Sequence, residues 1–145
     1  MKKVLVKILL SFCGLLIAAT LIAEPKNIYN AAKKGEIQSI KSNVESGFDI
    51  NSKDEFGKTL LMYSCYYGHI EIVEYLILKK VEINIQDNEN WSALFYSVSK
   101  NRVDITAILL KNGADTTLKD IDGKTAFDYA VSKNNQKILK MFEIK

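Results

Sequence analysis

Shifted by 33 residues, this 145-residue chain falls back onto itself: Asp54 lands on Asp87 and Asp120, Gly57 on Asn90 and Gly123, Thr59 on Ser92 and Thr125. Further along, Ser64 meets Ser97 and Ala130, and Gly68 meets Asn101 and Asn134. A period of this length is the mark of stacked units, each too small to bury its apolar face alone and each completed by its neighbours. The clearest copy runs from Asp54 to Gln86, and the rest of the chain restates it more loosely.

The substitutions at each recurring position follow physical chemistry. Gly57/Asn90/Gly123 and Gly68/Asn101/Asn134 alternate between the residue types that enter the left-handed backbone region most easily, so both places predict turns with positive φ. Thr59, Ser92 and Thr125 put a hydroxyl ahead of an apolar run, the signature of a helix N-cap. After each Gly68-type turn, apolar residues return at helical spacing, as in Ile72, Val73, Leu76 and Ile77, then Ile105, Ile108, Leu109 and Leu110. The unit reads as turn, helix, turn, helix, and the fold class as all-α.

Asp54, Gly57, Thr59, Leu61, Gly68, His69, Ile72, Val73, Leu76 and Asn84 together resemble the ankyrin repeat, as does Lys111-Asn112-Gly113-Ala114-Asp115 at the close of the next unit. The resemblance implies an ankyrin-like solenoid of four helix-turn-helix units joined by short hairpin loops, at 24–53, 54–86, 87–119 and 120–145. The first and last units read as caps. Ser39 and Asn43 stand where inner repeats carry apolar residues, and Gln136 and Glu143 give the last unit a polar outer face. The family's Pro-Leu-His is replaced by Leu60-Leu61-Met62, Ala93-Leu94-Phe95 and Ala126-Phe127-Asp128, which lowers the expected stability.

The first 23 residues read as a secretory signal: Met1-Lys2-Lys3, an apolar run from Ile8, and Leu21-Ile22-Ala23 before Glu24-Pro25. The expectation is an exported ankyrin-repeat protein of a bacterium, in the periplasm or outside the cell, cleaved after Ala23. The alternative is an uncleaved anchor holding the repeats outside the membrane, since Val4 to Ala23 approaches the roughly 20 residues a spanning helix needs. Loss of Lys2, Lys3 and Lys7 turns the formal charge from +3 to zero, with 17 acidic residues in the chain. Lysines spread over every repeat argue against the clustered phosphate-binding face of a nucleic-acid protein. Cys13 is filler in the apolar run, and Cys65, left alone after cleavage, has no disulfide partner.

Residues for catalysis are sparse. Cys65 lies four residues before the sole histidine, His69, but no third group orients the imidazole, and His69 sits at a turn position. One His with one Cys is too few for a metal site, and Asp54, Asp87 and Asp120 read as turn formers. The chain is therefore read as a non-catalytic module with no cofactor and no metal.

The family resemblance assigns partner binding to the hairpin tips and the exposed side of the first helices. The candidates there are Phe56, Lys58, Tyr66 and Tyr67 in the second unit, with Asn88, Glu89, Trp91 and Lys100 in the third and Lys124 in the fourth. Lys33, Lys34 and Lys53 extend the same surface into the first unit. Phe56, Tyr66, Tyr67 and Trp91 stand out as aromatics expected to face water, the composition of a recognition surface. Tyr63, Tyr96 and Tyr129 recur at one helical position and read instead as a packed column. The expected partner is another protein, with a secreted factor, a membrane-tethered scaffold and an accessory to an envelope enzyme as alternative settings.

Overall fold

The computed structural model describes residues 25–143, with side chains from Ile28 onward. The expected signal segment 1–23 and its junction at Glu24 lie outside the described residues. Among the described residues, eight α-helices follow in four pairs: α1 Pro25–Lys34 with α2 Ile37–Glu45, α3 Leu60–Tyr67 with α4 Ile70–Leu78, α5 Ala93–Ser99 with α6 Val103–Lys111, and α7 Ala126–Ser132 with α8 Gln136–Glu143. Among the described residues there is no strand, only an isolated bridge between Lys119 and Thr125. None of the described helices is long and apolar enough to cross a membrane.

The first helices α1, α3, α5 and α7 pack in one row and the second helices in another. Contact is denser along the first row than along the second. Inner helices have neighbours on several sides, and their sequence shows it: Leu60 through Cys65 and Ala93 through Val98 are all buried. From the second row, Leu76 and Leu109, one period apart, are both fully buried and close the core.

Both predicted turns carry positive φ in the second, third and fourth units. Gly57, Asn90 and Gly123 lie at φ 75°, 60° and 76°, and Gly68, Asn101 and Asn134 at 89°, 57° and 50°. Space adds to conformation at Gly68, where a Cβ would come within 2.8 Å of the Arg102 guanidinium. Each hairpin is organised by its aspartate. Asp54 Oδ1 accepts the N–H groups of Phe56 and Lys58, both at 2.9 Å, and Asp87 and Asp120 repeat the pattern one and two periods later.

The caps differ from expectation in one unit. Thr59 accepts the Met62 N–H and donates its own N–H to the Met62 sulfur, and Thr125 exchanges the same pair of bonds with Asp128. Ser92 occupies the N-cap position but makes no cap bond, and its Oγ is buried without a hydrogen-bond partner. Phe95, three residues on, has no polar side-chain atom to accept the Ser92 N–H, so the reciprocal half of a capping box is missing here as well.

The end faces also need correction. Gln136 and Glu143 are exposed, as a polar cap requires. Val131, however, is 52% exposed although its counterparts Val98 and Cys65 are buried, and Phe127 is exposed where Leu94 and Leu61 are buried. Those positions pack toward the following unit in the inner repeats, and no unit follows the fourth among the described residues. At the other end Ser39 and Asn43 are half-buried rather than open to water, with the Asn43 amide bonded to the Ser39 carbonyl.

Candidate functional site

The recurring tyrosine and the recurring aspartate form a unit that binds helix to hairpin. Tyr63, Tyr96 and Tyr129 each donate their hydroxyl to the second oxygen of Asp54, Asp87 and Asp120, at 2.6, 2.5 and 2.6 Å. Burial, then the aspartate bond, pushes the Tyr63 and Tyr96 phenols well above the ordinary range. The Asp120 bond and burial push Tyr129 up to about 12. Burial alone would raise Asp120, but the Tyr129 hydroxyl and the Lys124 and Asp122 amides outweigh it and hold the carboxyl below its usual value.

These tyrosines do not stack into one continuous column. Between Tyr96 and Tyr129 lies Trp91, at 5.2 and 5.1 Å between ring centroids. One period earlier the same hairpin position is Lys58, and there the gap stays open. It is a cleft of about 190 Å³ lined by Lys58, Met62, Tyr63, Tyr66, Tyr67 and Tyr96. Tyr29 and Tyr63 approach directly at 6.0 Å, so the opening falls between the second and third units.

The cleft wears its cations on its rings. Lys58 Nζ lies 5.3 Å from the Tyr96 centroid and 6.0 Å from Phe56, Lys33 Nζ lies 4.6 Å from Tyr63, and Lys100 Nζ lies 4.3 Å from Tyr66. Contacts of this kind hold an ammonium over the negative face of a ring while leaving its outer side to water. Among the described residues, the side-chain ion pairs are Lys34–Glu36 and Lys41–Glu71, neither of which involves these three lysines.

The nine candidates separate accordingly. Lys58, Tyr66 and Tyr67 line the cleft, with Phe56 and Lys100 against its margin. Phe56 is 56% exposed and Tyr67 43%, whereas Tyr66 is half-buried, packed edge-on against Tyr67 at 4.9 Å and Tyr96 at 6.0 Å. Trp91 is also half-buried, against expectation, because it fills the next gap and lies 5.8 Å from Phe95. Asn88 and Glu89 stitch hairpin to hairpin: the Asn88 N–H donates to Phe56 O at 3.3 Å, and Glu89 O accepts the Ile121 N–H at 3.3 Å. Lys124 is exposed on the last hairpin and its main chain bonds Asp120.

Tyr63 and Tyr96 are lining residues that the sequence reading assigned to a packed column, and Met62 is one it named only as a departure from the family's Pro-Leu-His. The spacing of nine between aspartate and tyrosine crosses a turn into a helix and matches neither helical nor strand periodicity, so periodicity could not reveal it. Exchange of lysine for tryptophan at one repeat position, Lys58 against Trp91, was the legible signal for an open gap.

Cys65 and His69 do not come together as a nucleophile and base. Cys65 is fully buried, and burial pushes its thiol well above the ordinary range. The His69 ring Nε2 bonds the Lys33 carbonyl at 2.9 Å and stacks on Tyr67. One period on, the Arg102 guanidinium donates to the Tyr66 carbonyl at 3.2 and 3.3 Å, so this turn position ties each unit to the one before. Among the described residues no group of three or more His, Cys, Asp or Glu converges as a metal site would need.

Comparison with known proteins gives a family match. The model described as ankyrin repeats (3 copies) matches residues 28–120 and 78–142. The chain is 41% identical over 51 residues to the E3 ubiquitin-protein ligase XBAT33 of Arabidopsis thaliana, covering 35% of this chain and 10% of that protein. It is 41% identical over 59 residues to Acyl-CoA-binding domain-containing protein 6 of Homo sapiens, covering 40% of this chain and 21% of that one. A third relative is the putative ankyrin repeat protein FPV223 of Fowlpox virus (strain NVSL), 36% identical over 53 residues, 37% of this chain and 38% of that one. The matched stretch thus spans from a tenth to less than two fifths of these relatives' lengths.

Proposed function

This chain belongs to the ankyrin-repeat family, and from that premise we propose that it is a non-catalytic protein-binding module that holds its partner on the hairpin tips and first helices. The observation carrying this is the cleft between Tyr63 and Tyr96, flanked by exposed Phe56 and Tyr67. Large rings clustered on an open surface, with a buried floor, have the make-up of a binding hot spot. The cleft is smaller than the roughly 300–1,000 Å³ of small-molecule sites, and suits a single side chain better than a cofactor.

Export belongs to the same proposal. Its support is the charged start, the apolar run and Ala23 ahead of Glu24-Pro25. The mass of the chain recovered from its source tests this: a start at Glu24 is expected, and retention of Met1 contradicts cleavage.

Binding is tested by capture from the producing cell with the wild-type chain and the variant Phe56→Ser/Tyr67→Ser. The expected outcome is a protein retained by the wild type and lost by the variant at unchanged melting temperature. Retention by that variant, or loss through Leu78→Ser on the far row, would contradict the site.

A further inference from the structure

We propose that the cleft between the second and third units receives an apolar side chain from an acidic peptide segment, whose carboxylates are met by Lys33, Lys58 and Lys100. The inference rests on the protein-binding reading above and adds the chemistry of the partner.

Several tyrosines around a small opening would ordinarily suit a cation, such as a methylated ammonium group. Here the chain's own lysines already occupy the faces of Tyr63, Tyr66 and Tyr96. A second cation would meet like charge at short range on each of these three rings. The same arrangement attracts an anion, since three ammonium groups around one opening have no carboxylate of the described chain within ion-pairing distance. The nearby aspartates do not cancel them, because Asp54 and Asp87 are bound to the Tyr63 and Tyr96 hydroxyls and to hairpin amides. Glu55 and Glu89, exposed on the second and third hairpins, are not among the residues that line the cleft.

The occupant also needs an apolar group. The cleft floor is Met62, itself 1% exposed, with ring walls, so a carboxylate seated there would lose hydration without a partner. An apolar side chain in the opening, with acids on either side of it in sequence, satisfies floor and rim together. Trp91 shows the fit within the molecule itself, since its indole occupies the corresponding gap one unit further on.

Three fluorescein-labelled synthetic peptides test the proposal by polarisation on the purified protein: one alternating glutamate with leucine, one with lysine replacing every glutamate, and one with serine replacing every leucine. The glutamate–leucine peptide is expected to bind at least tenfold more tightly than either control, and more weakly as salt rises from about 50 to 500 mM. Lys58→Trp should fill the cleft as Trp91 fills its neighbour, abolishing binding at undiminished melting temperature, and Lys58→Glu should weaken binding tenfold or more. Equal binding of the lysine peptide, or displacement by oligothymidylate as potent as by unlabelled peptide, overturns the acidic-peptide assignment. If no peptide binds while capture still depends on Phe56 and Tyr67, the assignment falls and the protein-binding reading stands. If capture ignores those residues, the reading itself falls.

Discussion

Tyr96→Phe is the sharpest test of the contact that joins each hairpin to its helix. Tyr96 and Asp87 are each 5% exposed, and the hydroxyl reaches the carboxylate at 2.5 Å. Phenylalanine keeps the ring against Trp91 and Tyr66, so packing changes little and the loss is that of one charge-assisted hydrogen bond in a dry site, about 1.5–3 kcal/mol. Asp87→Ala removes that bond and the two amide bonds to Glu89 and Trp91, whose N–H groups recover part of the loss by hydration, giving about 3–5 kcal/mol. Against a total of roughly 5–15 kcal/mol for a domain, either change is easily measured. Urea titration of both single variants and the double variant should show a coupling of about 1–2 kcal/mol, because the two share one interaction. The same change at Tyr129, in the less buried last unit, should cost about 1 kcal/mol or less. A loss below about 0.5 kcal/mol for Tyr96→Phe, or strict additivity in the double variant, would refute the reasoning.

Further expectations follow from the caps, the end face and the titrating groups. Thr59→Ala and Thr125→Ala should each cost about 1 kcal/mol, whereas Ser92→Ala, which removes an unbonded buried hydroxyl, should be neutral or stabilising in the same titration. Val98→Ala should cost about 1.5–3 kcal/mol and Val131→Ala less than about 0.5 kcal/mol, although both hold one repeat position, and equal losses would contradict the end face described. Thr125 bonds hold the Asp128 carboxyl below its usual value, and Asp120 is lowered too; stability from both is complete above about pH 4 and lost as pH falls through the lowered values. Asp128→Asn should therefore flatten the acid decline in melting temperature. Tyr129, raised to about 12, contributes stability complete below about pH 10 and lost as pH climbs toward 12, so its phenolate absorbance should lag in an alkaline titration.

The repeat frame was legible because turns and cores depend on local chemistry that recurs at a fixed interval. Gly57, Asn90 and Gly123 differ in name but share a positive φ, and Leu76 and Leu109 share complete burial. What period could not supply was the identity of the neighbour. Val131 holds the same place as Val98 yet lies open, since exposure is a property of the unit that follows. Trp91 was expected in water because its repeat position is occupied by lysines elsewhere, but an indole there reaches two tyrosines and covers the gap that Lys58 leaves open. The reciprocal half of a cap at Ser92 likewise depends on another residue, Phe95, whose apolar side chain serves the core.

Of the site, the aromatic and lysine candidates of the second unit were readable as surface, while their convergence was not. Lys33 and Lys100 come to the cleft from the units on either side, and no distance in sequence places an ammonium over a particular ring. The bonds from His69 to the Lys33 carbonyl and from Arg102 to the Tyr66 carbonyl span 36 residues, and join units that sequence periodicity treats as separate copies.

The central claim is that a protein partner lies on the first-helix and hairpin side of the stack. Hydrogen–deuterium exchange of the chain, alone and with a captured partner, tests it most directly. Peptides covering residues 54–67 and 87–100 should exchange more slowly in the complex, with α4 and α6 unchanged. Protection confined to α4 and α6, with the hairpins and α3 unaffected, would place the partner on the opposite row and contradict the account.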